Sequence, residues 1–72
     1  MLNHVARIEI IVNGRKASTA AATLAELVNE HDLSGTRVAT ALNGDFVPEG
    51  KRATTSLRSG DRVEIVSARQ GG

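Results

Sequence analysis

The residues best suited to chemistry stand at the end of the sequence, Gly71 and Gly72. A glycine pair carries no Cβ. It makes a thread narrow enough for a tight channel and free to take backbone angles that other residues avoid. The last functional group is then the α-carboxylate of Gly72, with no side chain beside it. Read for chemistry, that carboxylate is the reactive group and the rest of the chain presents it. Read without chemistry, two glycines are a frayed end of the kind common at domain termini. The pair alone favours the frayed end, and it is the rest of the chain that shifts the balance.

Other reactive constellations are missing. There is no cysteine, which excludes disulfides, thiolate metal sites and cysteine nucleophiles. His4 and His31 are not at metal-ligand spacing, and no carboxylate joins them. His31 reads as a solvated residue near a helix end, where it suits the dipole. The hydroxyl residues between Ser18 and Ser56 lack the context of a nucleophile elbow. Gly14, Gly35, Gly44 and Gly60 read as turns, not as a phosphate-binding loop. The chain is therefore read as a non-enzyme.

Composition narrows the class further. Seventy-two residues make one small domain with a modest core. Hydrophobic residues are 40% and charged residues 24%, as in folded globular chains. Nine Lys+Arg against eight Asp+Glu is too balanced to predict nucleic-acid or anionic-membrane binding. Phe46 is the only aromatic residue, so base stacking has no platform. No apolar run approaches a membrane span, and His4, Arg7 and Glu9 interrupt any signal-peptide core. The expected location is cytoplasmic.

The elements that must position the terminus follow from pattern. Ala6 to Val12 reads as a strand, with Ile8, Ile10 and Val12 on one face and Arg7, Glu9 and Ile11 on the other. Asn13-Gly14 supplies the positive-φ pair of a type I′ hairpin, and Arg15 to Ser18 returns antiparallel. Thr19 to Ala22 is a small-residue connector. Thr23 and Glu26 match a capping box, and Leu24, Leu27 and Val28 make one apolar helical stripe ending near Glu30 or His31. Leu33 packs after the helix, and Ser34-Gly35 breaks the chain. Val38, Thr40 and Leu42 share one face of a third strand, with Ala39 and Ala41 on the other. Asn43-Gly44 is a second tight turn, and Asp45 to Val47 a short strand stopped by Pro48. Glu49 to Ser56 is polar and irregular, with room for one helical turn, and Leu57 anchors it. Ser59-Gly60-Asp61 launches the last strand, in which Val63 and Ile65 point one way and Glu64 the other.

This order, with one helix across a sheet, is an α+β pattern. The first and last strands are the most apolar and belong side by side, in parallel, at the centre. That is a β-grasp, ubiquitin-like fold: a mixed four- to five-stranded sheet with one main helix on one face. Residues 1–68 are expected to form the domain and residues 69–72 a flexible Gly-Gly tail.

Thr23-Leu24-Ala25-Glu26-Leu27, Val38 to Leu42 with Asn43-Gly44-Asp45-Phe46-Val47-Pro48, Gly60 to Val66 and the final Gly71-Gly72 together resemble the ThiS family, the sulfur carriers of thiamine biosynthesis. The likeness covers nearly the whole chain from Ile8. The sequence departs from it in Ala20-Ala21-Ala22, which lacks a turn glycine, in the long lead-in Met1 to Arg7, and in the polar Arg69-Gln70. The resemblance implies that an E1-like adenylyltransferase of the ThiF type adenylates the Gly72 carboxylate. A persulfide donor then leaves a thiocarboxylate there, and a ThiG-type thiazole synthase accepts the sulfur. No cofactor would be bound stably, since ATP and Mg²⁺ belong to the partner. Two related readings share fold and terminus: a carrier of the molybdopterin synthase small-subunit type, and a ubiquitin-like modifier. A plain interaction module is the reading of a different class.

The partner surface follows from alternation and the usual β-grasp strand order. Ile11 and Val66 face outward, and Ala39 and Ala41 come beside Val66, leaving a small apolar patch near the root of the tail. Scattered surface hydrophobes are the bland alternative. Arg62 and Arg69 are candidates for steering toward an acidic partner groove, or simply solvated charges.

Overall fold

Two Asn-Gly steps cut the chain into hairpins, and the last strand is threaded between them. The computed structural model describes residues 6–31 and 37–67. The lead-in Met1 to Val5, Leu33, the break at Ser34-Gly35, and the tail with Arg69, Gly71 and Gly72 lie outside the described residues.

Strands β1 (Ile8–Val12) and β2 (Arg15–Thr19) pair antiparallel from Ile8 with Thr19 to Val12 with Arg15. Between them Asn13 has φ 51° and Gly14 φ 83°, the left-handed pair a type I′ turn requires. Strands β3 (Val38–Leu42) and β4 (Asp45–Val47) repeat the device, with Asn43 at φ 51° and Gly44 at φ 89°. Strand β5 (Arg62–Ser67) runs parallel to β1 and antiparallel to β3. The five-stranded order is β2-β1-β5-β3-β4, the mixed sheet expected of a β-grasp.

Both ends of the first hairpin shift from the sequence reading. β1 starts at Ile8, not Ala6, because its partner β2 stops at Thr19 and leaves nothing further to pair with. Arg7 reaches β2 by its side chain instead, donating from Nε to the Ser18 hydroxyl at 3.1 Å and from Nη2 to the Ser18 carbonyl at 3.2 Å. Thr19 belongs to the strand, not to the connector. Its buried hydroxyl accepts from the Ala21 N–H at 2.9 Å and donates to Glu30 Oε1 at 2.6 Å, tying β2 to the end of the helix.

Helix α1 (Leu24–Glu30) is capped by Thr23, whose Oγ1 accepts from the Glu26 N–H at 3.2 Å. The Glu26 carboxylate reaches back to the Ala22 N–H at 2.7 Å, one residue earlier than a capping box implies. Thr23 is extended here and bridges Ser56, with Leu24 N–H bonded to Thr55 O and Leu57 N–H to Ala22 O. Leu24, Leu27 and Val28 face the sheet and close a core with Ile10, Val12, Val47, Leu57, Val63 and Ile65. Ile10, Val12, Val47, Val63 and Ile65 are inward positions of the alternating strands, and Leu57 joins them from the loop before β5.

The polar stretch after Pro48 is more ordered than its composition suggests. Glu49–Thr54 is a six-residue 3₁₀ helix, longer than the single turn expected. Arg52 within it is buried, and its guanidinium donates from Nε to Thr40 Oγ1 at 3.0 Å and from Nη2 to the Val38 carbonyl at 2.7 Å. Thr40 passes the chain on, donating to Val47 O at 2.8 Å. Composition cannot show this, because a buried arginine and a solvated one look alike in sequence.

Candidate functional site

The candidate site comprises β5, the last strand before the Gly-Gly pair in sequence, and the sheet face turned away from α1. Along β5, Val63 and Ile65 are buried, while Arg62, Glu64 and Val66 are exposed, as a strand packed on one face requires. Val66 is 61% exposed. Its cross-strand partner on β3 is Ala39. Ala41, two residues along, faces Glu64 on one side and Phe46 of β4 on the other. Phe46 is 68% exposed, so the largest apolar side chain of the protein lies on this outer face, not in the core.

Val66, Ala39, Ala41 and Phe46 thus form an apolar strip across three strands. Phe46 was not among the residues that sequence alone picked out for this surface. The signal was present, however. The two-residue turn at Asn43-Gly44 sets the register, Val47 pairs with Thr40 toward the core, and the residue before Val47 must face outward opposite Ala41. Ile11 does not join the strip. It is half-buried and sits in register with Arg62, because β1 covers only the start of β5. Val66 stands four positions beyond Arg62 along the strand, a span of roughly 13 Å. Arg69, Gly71 and Gly72 lie outside the described residues.

The remaining polar features are structural in their contacts. His31 is exposed at the end of α1, with Nδ1 3.1 Å from the Leu27 carbonyl, to which the Nδ1-protonated tautomer donates. Among the described residues, no group of three His, Cys, Asp or Glu is placed to hold a metal ion. An open depression of about 400 Å³ beside Arg62 is lined by Asn43, Gly44, Gly60, Arg62 and Glu64. It brings opposite charges together and encloses nothing. Among the described residues, no helix is long and apolar enough to cross a membrane.

The model of the ThiS family matches residues 9–72, nearly the whole chain. The chain belongs to the ThiS family. It is a ThiS-type, ubiquitin-like sulfur carrier. The crystal structure of a thiamine biosynthesis protein (ThiS) from Geobacter metallireducens is similar to it, with 25% sequence identity and a TM-score of 0.74. The likeness covers 90% of this chain and 100% of that one. No curated protein matches the sequence. The whole outer-face strip lies within the matched span, and its Val66 is on the last strand before the Gly-Gly pair in sequence.

Proposed function

We propose that this chain carries sulfur for thiazole formation in thiamine biosynthesis, as a thiocarboxylate on Gly72. The observation that carries the reading is the ThiS family match, which runs through Gly71 and Gly72. A carboxylate is a poor electrophile, so the terminus needs activation. In the proposed sequence the Gly72 carboxylate attacks the α-phosphorus of MgATP on a ThiF-type partner, and pyrophosphate leaves. The terminal sulfur of a persulfide then attacks the acyl carbon and AMP departs. A thiol cleaves the remaining S–S bond, which frees the thiocarboxylate for a ThiG-type acceptor. The chain itself contributes the terminus and the docking face, while ATP and Mg²⁺ are bound by the partner.

The outer-face strip supports a docking role. Val66 and Phe46 expose apolar area that a lone domain gains nothing by exposing, and Val66 stands two positions before the end of the domain expected at residue 68. Arg69 is proposed to assist docking electrostatically. The test is intact-mass analysis of the chain incubated with ATP, Mg²⁺, a ThiF-type adenylyltransferase and a persulfide source. A gain equal to one oxygen replaced by sulfur is expected. A chain that stays unmodified while a known carrier is loaded in parallel would overturn the reading.

A further inference from the structure

The chain holds two Asn-Gly steps, Asn13-Gly14 and Asn43-Gly44. Such a step has a chemistry of its own. The backbone nitrogen that follows an asparagine can attack the side-chain Cγ, and a glycine there puts no Cβ in the way. The glycine flank is open in both turns, since a Cβ added to Gly14 or Gly44 would meet nothing within 4 Å. Both asparagines have φ 51°. Each asparagine N–H also donates to β5, Asn13 to Val63 O at 2.9 Å and Asn43 to Arg62 O at 2.7 Å. Sequence, turn and backbone contact therefore do not distinguish the two steps. What differs is the hold on each carboxamide.

The Asn13 carboxamide is clamped by main chain on both sides. Its Oδ1 accepts from the Ile65 N–H at 2.8 Å, and its Nδ2 donates to the Ile65 carbonyl at 3.1 Å. These contacts are part-buried, and β3 pairs with β5 on either side of Ile65. Asn43 is held less firmly. Its Oδ1 accepts from the Arg62 N–H at 2.9 Å, at the first residue of β5. Its Nδ2 donates to Asp61 Oδ1 at 3.0 Å, which is a side chain. Both Asn43 contacts are exposed, so water replaces a lost partner at little cost. The hairpins differ in the same sense. The first is paired from Ile8 with Thr19 to Val12 with Arg15, the second only from Thr40 with Val47 to Leu42 with Asp45. A shorter hairpin opens locally at lower cost.

We propose that Asn43 is a self-modification site, while the same step at Asn13 is protected by the fold. When the second turn opens, the Gly44 nitrogen attacks Cγ of Asn43. The N–Cγ bond forms, the Cγ–Nδ2 bond breaks, and ammonia leaves with the proton that the Gly44 amide gives up. Water then opens the cyclic imide at either carbonyl and leaves aspartate or isoaspartate at position 43. Aspartate sets a carboxylate where Nδ2 now meets Asp61, so a donor–acceptor contact becomes two like charges that repel. Isoaspartate adds a carbon to the main chain of the turn that sets the β3–β4 register, and so displaces Phe46 from its place opposite Ala41. The reaction needs water and no partner. Only its effect on docking rests on the outer-face reading.

Peptide mapping of the wild-type chain, aged at mildly alkaline pH with and without urea, reads both steps at once. Trypsin places Asn13 in the peptide Ile8–Arg15 and Asn43 in Val38–Lys51, and each conversion adds the mass difference between OH and NH₂. In the folded chain Asn43 should convert about tenfold faster than Asn13, and in urea the two rates should agree within about twofold. Equal rates in the folded chain, or Asn13 ahead, overturn the proposal. So does a folded chain in which neither step converts while the unfolded one reacts. A preference that persists in urea also overturns it, by tracing the selectivity to neighbouring residues. Asp61→Ala frees Nδ2 and should quicken Asn43 several-fold, with the Asn13 rate as the control for folding; an unchanged Asn43 rate removes Asp61 from the hold. Chain carrying isoaspartate at position 43 should bind a ThiF-type adenylyltransferase more weakly, as Phe46→Ala does. If Phe46→Ala weakens binding and the aged chain does not, the register effect is wrong. If neither does, the docking reading fails and the modification still stands or falls on the maps.

Discussion

Thr23 holds the start of α1 with one oxygen, since its hydroxyl accepts the Glu26 N–H. Thr23→Ala should therefore cost about 1 kcal/mol, read as a lower midpoint in chemical denaturation with an unchanged slope. An unmoved midpoint would mean that Glu26 and the Ser56 bridge suffice to start the helix. Val66 and Phe46 are the opposite kind of residue, exposed and without a core to lose. Val66→Asp should weaken binding to the adenylating partner while the thermal midpoint stays nearly constant. Phe46→Ala should weaken the same complex by about 1 kcal/mol or more, if the aromatic ring anchors the contact as such rings often do. Titration calorimetry alongside thermal melts checks both. Ile11→Ser is the contrast: it lies by Arg62 and should leave binding within about twofold.

At the scale of the element, the 3₁₀ helix Glu49–Thr54 depends on Arg52. Its planar fork satisfies the Val38 carbonyl and the Thr40 hydroxyl from one buried group. Arg52→Ala should destabilise by about 2–3 kcal/mol, because buried polar partners lose a charged donor. Arg52→Lys should recover only part, since an ammonium cannot supply the fork. Urea unfolding of the three chains measures this, and a loss under about 0.5 kcal/mol for the alanine variant would mean that solvent replaces the guanidinium. The segment looked irregular in sequence because its helix has no apolar period. It is organised by an inward-pointing cation instead, and no residue pattern announces that.

For the whole molecule the prediction separates terminus from fold. Deleting Gly72 should abolish sulfur loading yet leave stability within about 0.5 kcal/mol, as for a surface change. The deletion draws the carboxylate back by up to roughly 3.5 Å. Gly71→Val keeps the length but adds a branched Cβ where the thread must be narrow, so loading should fall with circular dichroism unchanged. Intact mass reads both. A truncated chain that gains sulfur as fast as the full one would return Gly71-Gly72 to the status of a frayed end.

What the sequence determined by itself is whatever depends on local period and turn chemistry. Alternation of Ile8, Ile10 and Val12, the Asn13-Gly14 and Asn43-Gly44 steps and the Thr23 cap each act over a few residues, so strands, hairpins and helix were legible, and with them the β-grasp order. The outward phase of Val66 was legible for the same reason. The tertiary structure decided what depends on which strand lies beside which, and how far along. It separated Ile11 from Val66, because a parallel ladder beginning at Arg62 ends before reaching the far half of β5. It brought Phe46 beside Ala41, buried Arg52 under β3, and turned Asn13 from a turn former into a clamp on a residue 52 positions away. Those contacts join distant parts of the chain by hydrogen bonds, and a hydrogen bond between distant residues leaves no periodic trace in the sequence.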